Sequence, residues 1–109
     1  MRFGRRSRFR ELVERQLDLF AADDAELLHE AVESEEAWSR AGADSAEEAY
    51  GDYQLVVDAI GDRLLDIRES YARTLDEDAA ADYSAEFTRA ATRRYRRYAT
   101  LLADYDAEH

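Results

Sequence analysis

The chain of 109 residues has no cysteine, no proline and no lysine, and it holds only four glycines and a single tryptophan. Without cysteine it can form no disulfide framework, no thiolate metal centre and no cysteine nucleophile. Without proline, and with so little glycine, it is short of the residues that an all-β fold needs at its closely spaced turns. No run approaches the ~20 apolar residues that cross a bilayer as a helix. All fifteen basic residues are arginine, a bias that reads as codon usage in a GC-rich genome, or as halophily, more than as chemistry. The arginine-rich residues 1–10 are followed by the charged, amphipathic Glu11-Leu12-Val13-Glu14-Arg15-Gln16 and not by an apolar export segment, so the sequence reads as soluble and cytoplasmic.

What the chain does have is acid and helical period. Its 26 acidic residues give a net charge of −11, and its 46% hydrophobic content is enough for a core. The length fits one domain spanning residues 1–109. In the middle, Ala46, Tyr50, Tyr53, Val57, Ile60, Leu64, Ile67 and Tyr71 advance by alternating steps of four and three. That 3.5-residue period predicts a long helix over about 45–75, packed along its length in coiled-coil fashion. Ser45 and Glu48 stand at capping-box spacing at its start. Gly51 and Gly61 lie off the stripe, where they allow another helix or chain to approach.

Downstream, Asp76-Glu77-Asp78 places acids where a helix N-terminus favours them. The line Ala80, Tyr83, Phe87, Ala91, Tyr95, Tyr98, Leu102, Tyr105 predicts one helix over about 77–104. Upstream, Phe9, Val13, Leu17, Phe20, Leu27, Ala31 and Trp38 fit one helix over about 8–41, which places Asp24 on the inner stripe. The alternative is a break at Asp23, with Asp23 capping a second helix. Short connections favour antiparallel neighbours. The expected fold is therefore all-α, an up-down-up bundle of three long helices, or four if the first breaks, with residues 1–7 as a flexible arginine-rich arm. Length and pattern are similar to a spectrin-like repeat, a likeness of architecture without a shared motif that implies fold alone. Trp38 and Gly42 stand at Trp-x-x-x-Gly spacing, not the Trp-x-Gly of secreted helical hairpins.

Three groups of residues are candidates for chemistry. Glu26 and His29 form a Glu-x-x-His pair, the i, i+3 unit of ferritin-like metal-carboxylate sites. The heptad pattern puts both on the outer surface, and the only other histidine is His109, so a complete metal site requires assembly between subunits. Arg89, Arg93 and Arg97, spaced four apart within Arg93-Arg94-Tyr95-Arg96-Arg97-Tyr98, suit an anionic partner such as nucleic acid or an acidic protein. Against nucleic acid stand the net charge and the 23 acids against 5 arginines of residues 11–88, so pairing of the arginines with those acids is the favoured expectation. Leu55 and Leu65 on the middle helix, with Leu12 and Leu19 on the first, lie off the inner stripes and are candidates for an oligomer interface. The seven tyrosines are expected to pack, and Trp38 to plug one end of the core.

No phosphate loop, nucleophile elbow or zinc motif occurs, so neither a catalytic residue nor a cofactor is expected. The sequence reads as a non-enzymatic, self-associating scaffold protein, with a homodimer favoured.

Overall fold

Every regular element among residues 8–109, the part of the chain that the computed structural model describes, is an α-helix. The arm expected over residues 1–7 lies outside the described residues. The described residues form five helices: α1 (Arg10–Asp23), α2 (Ala25–Arg40), α3 (Ala46–Ala72), α4 (Glu77–Arg94) and α5 (Thr100–Glu108). None is long and apolar enough to cross a membrane. The expected all-α fold is present, with more helices than the three or four foreseen.

The stripe of α3 organises the assembly. Tyr53, Val57, Ile60 and Leu64 are buried along it, and Ile67 and Tyr71 are half-buried. α2 runs antiparallel to α3, with Trp38 beside Tyr50 at one end and Arg63 bound to Asp24 at the other. α4 is antiparallel to α3 as well, joined to it by the turn at 73–76. α1 lies along α4 and parallel to it, Phe9 meeting Tyr83 and Phe20 meeting Tyr95 edge-to-face at 5.7 and 5.5 Å. α1 and α2 thus travel the same way, and the up-down-up course survives in a body of 55 × 29 × 26 Å.

Two expected long helices are each divided. The first breaks at Asp24, one residue beyond the expected Asp23. Asp24 leaves the helical backbone region (φ −111°, ψ 30°) and caps neither neighbour with its side chain. Its carboxylate instead accepts a hydrogen bond from Arg63 Nε at 3.1 Å, so an inward-facing acid is tolerated because it meets a guanidinium from α3. The break transfers the chain from α4, which α1 covers, to α3, which α2 covers. The helix expected over 77–104 ends at Arg94, and α5 folds back along α3 with Leu101 against Gly61 and Asp106 against Arg68. In one straight helix the four arginines at 93, 94, 96 and 97 would repel one another at close spacing. The turn at 95–99 separates them, with Arg94 meeting Asp18 and Arg97 meeting Glu35.

Helix ends divide likewise. Asp76 caps α4, its carboxylate accepting from the Ala79 N–H at 2.9 Å, which fixes the start of that helix where the acids suggest it. Ser45 occupies the N-cap position of α3 but makes no side-chain cap bond, so the expected capping box does not form.

Two contacts hold α5 to α3. Gly61 is the close-approach point: a Cβ there would lie 2.8 Å from Leu101 Cβ and 3.3 Å from the Tyr98 carbonyl oxygen. Arg68, only 2% exposed, donates from Nη2 to Asp106 at 2.8 Å, from Nη1 to Thr88 at 2.7 Å and from Nε to Glu69 at 2.9 Å. Burial alone would lower its pKa, but the bonds to Asp106 and Glu69 outweigh this and raise it, so the guanidinium stays charged. Where α1, α3 and α4 meet, Tyr83 is fully buried against Phe9, Tyr71 and Phe87 and donates its hydroxyl to Gln16 Oε1 at 2.7 Å. Burial, with Tyr71 adding, pushes the Tyr83 phenol up to about 12.

Four outcomes follow for stability. Gly51 has open space around it, so Gly51→Ala raises stability by about 0.5–1 kcal/mol. Gly61→Ala lowers it by about 1–2 kcal/mol, because overpacking outweighs the same helix gain. Thermal melts of the two variants should move in opposite directions. Asp106→Ala leaves the buried Arg68 with Glu69 and Thr88 alone and costs about 1–3 kcal/mol; hydrogen exchange should locate the loosening in α5 first. Because the unfolded phenol ionises near 10, the folded state keeps the Tyr83 proton longer. The Tyr83 contribution to stability is therefore constant below about pH 10 and is lost as pH rises toward 12, and denaturant titrations of Tyr83→Phe should show a shallower fall over that range.

Candidate functional site

The break at Asp24 sends α2 along the N-terminal half of α3, while α1, α4 and α5 gather around the C-terminal half. The turn at 95–99 reaches the α2–α3 hairpin, where Arg97 pairs with Glu35. The tip beyond is built from α2 and α3 themselves. Two helices cannot bury an aromatic stripe on all sides, and large apolar side chains are exposed here. At the tip these are Trp38 and Tyr50, while Val32 and Leu55, the last 70% exposed, lie further down the hairpin and off the apolar stripe.

Trp38 does not plug the core. It lies over Tyr50 at 4.8 Å and stacks on Tyr53 at 5.4 Å while remaining 38% exposed. Tyr53 beneath it is buried. Burial, then the neighbouring Tyr98 and Tyr50 phenols, raise the Tyr53 pKa. The Tyr50 hydroxyl donates to Gln54 Oε1 at 3.2 Å, and the Gln54 amide donates to Asp58 at 3.1 Å. The cluster is a rigid aromatic face with hydroxyl edges, the kind of surface that contributes most to contacts between proteins.

Beside it runs a groove of about 300 Å³ between α2 and α3, lined by Glu30, Glu33, Ser34, Ala37, Ala49 and Asp52. Ala37 and Ala49 are the chain neighbours of Trp38 and Tyr50, and Leu55 lies one turn beyond Asp52. Small side chains open the groove and three carboxylates edge it. Residues 30–52 hold eight acids against the single Arg40, so this end favours cations.

The other candidates are dispersed. Glu26 and His29 are both exposed on the outside of α2, and His29 Nε2 lies 3.2 Å from Glu33. Among the described residues no three histidine or carboxylate side chains gather as metal ligands. Arg89, Arg93 and Arg97 do not share a helical face, because α4 ends at Arg94 and Arg97 lies in the following turn. Arg89 pairs with Glu86 at 3.0 Å, and Arg94 with Asp18 at 2.8 Å and Glu14 at 3.6 Å. Burial would lower the Arg94 pKa, but its bond to Asp18 and the adjoining charges raise it. Arg89, Arg94 and Arg97 thus pair within the fold, with acids of α4, α1 and α2 respectively. The four leucines part company: Leu12 and Leu65 pack on the core, whereas Leu19 is 56% exposed and Leu55 more so.

Sequence reasoning passed over Arg68 and the exposure of the tryptophan cluster. Arg68 had a signal, standing four residues after the core Leu64 and so on the buried side of α3. The exposure had none, since it depends on which helices stop short of the tip. In comparison with known proteins the chain matches no family, no curated protein and no solved structure.

Proposed function

We propose that this chain is a non-enzymatic helical interaction protein that self-associates as a homodimer, with the α2–α3 tip as its contact surface. One observation carries the reading: Trp38 and Tyr50 stand exposed where α3 has only α2 beside it, and Leu55 is exposed on the outer face of the same hairpin. Elsewhere the same stripe is covered by α4 and α5. An isolated surface leucine is ordinary, but an exposed tryptophan stacked on Tyr53 and tilted against Tyr50, with leucine and valine on the same hairpin, supplies the aromatic anchor that protein contacts use. The groove is acidic and open, which suits docking of another chain better than enclosure of a small substrate.

Sedimentation equilibrium over a wide concentration range tests this, with a mass of two chains as the expected limit. Leu55→Ser should raise the dissociation constant by roughly tenfold, the effect of removing a leucine that becomes buried on association, while the circular dichroism stays unchanged because Leu55 supports no core contact. A monomer at every concentration overturns the reading.

A further inference from the structure

The self-associating reading leaves open what covers the tip, and charge argues against a second tip. Residues 30–52 carry seven more acids than arginines, so two tips face to face would repel. The same chain also carries a segment of the opposite character. Residues 1–7, Met-Arg-Phe-Gly-Arg-Arg-Ser, contain three arginines, one phenylalanine and no acid. We infer that the arginine- and phenylalanine-bearing N-terminal segment of one copy docks on the tip of a second copy, its guanidinium groups in the Glu30–Glu33–Asp52 groove and Phe3 against Trp38. The inference rests on the self-association proposed above and names its contact.

Reach decides that the occupant comes from another copy. The segment is rooted at the far end of the bundle, where Arg8 pairs with Asp82 and Phe9 packs on Tyr83, itself against Tyr71 of α3. From Tyr71 to the groove at Asp52, α3 climbs about 28 Å at 1.5 Å per residue. Arg5 and Arg6 stand three and two residues before Arg8, so even extended backbone carries them only about 10 and 7 Å from that root. Only Arg2, on a fully straight chain, approaches its own groove. Laid antiparallel, two copies place each segment beside the other's tip, and the pair closes on itself with two identical contacts.

Complementarity of kind supports the same occupant. Glu30, Glu33 and Asp52 are acceptors without an arginine or lysine in the groove lining, and guanidinium groups offer planar, multiply donating partners for them. His29 beside Glu33 is exposed and leaves the groove open. Trp38 presents a stacking surface for a phenylalanine ring or a guanidinium.

A charge swap in the full chain tests the contact. One variant carries Arg2→Glu, Arg5→Glu and Arg6→Glu; the other carries Glu30→Arg, Glu33→Arg and Asp52→Arg. Glu30, Glu33 and Asp52 lie outside the core contacts described above, and circular dichroism verifies that each variant is helical. Each alone should dimerise at least about tenfold more weakly than the parent, as loss of several ion pairs implies. An equimolar mixture of the two should regain dimer, because each altered segment then meets an altered groove. Emission from Trp38, the only tryptophan, should change in the mixture and in the parent as dimer forms, and should revert on adding salt. A dimer that the swaps leave unaltered overturns this contact while leaving self-association in place. A parent that stays monomeric removes both. A mixture that fails to recover, after both variants have weakened, also overturns the pairing.

Discussion

The apolar stripe of α3 is longer than any one helix that covers it, and most of the architecture answers that constraint. Twenty-seven residues of helix extend about 40 Å, whereas α2, α4 and α5 have sixteen, eighteen and nine. Coverage is therefore shared. α2 takes the N-terminal half, α4 and α5 the C-terminal half, and α1 backs onto α4. Both helix breaks are transfers between these tasks, at Asp24 from α4 to α3 and at 95–99 from α4 back along α3. Where the sharing stops, at the tip of the α2–α3 hairpin, aromatic surface is left over.

Charge is handled by position. Residues 11–88 are strongly acidic, and the arginines that follow return to them through Arg94 and Arg97. Exposed pairs of this sort contribute little apiece, so their effect is on placement, drawing the end of α4 toward α1 and α2. Arg68 is different. Its guanidinium lies under α5 with its donors met by Asp106, Thr88 and Glu69, and a buried ion with its hydrogen bonds satisfied specifies one arrangement of the helices even where it adds little net stability. Together with the absent Cβ of Gly61, it sets where α5 lies. The acids left without arginines collect around the hairpin tip, which is why the apolar surface there is bordered by negative charge.

Much of the fold was legible from residue spacing. The stripe from Tyr53 to Leu64 is buried as its period indicates, and α4 begins at Glu77 behind an Asp76 cap as its acids indicate. Periodicity reports which face of a helix is apolar, because the backbone repeat is local chemistry. It does not report where a helix stops when no proline or glycine marks the place. The breaks at Asp24 and after Arg94 carry no such punctuation, and the pattern runs through both. The candidate site was less legible. Trp38 and Tyr50 fall on inner stripes in the sequence and on the surface in the structure, because a stripe is buried only where another helix lies against it.

By itself, the sequence determined that this protein is helical, where its central helix lies, which residues form that helix's apolar face, and that its charge is divided between an acidic body and arginine-rich flanks. These are properties of side chains at fixed spacing along one backbone. Only the tertiary structure decided that the inward Asp24 would meet Arg63, that Gly61 would receive Leu101, that Arg68 would find Asp106, and that Trp38 would face outward. Each depends on a partner distant in the chain, and the identity of that partner follows from how three unequal helices divide the surface of a fourth.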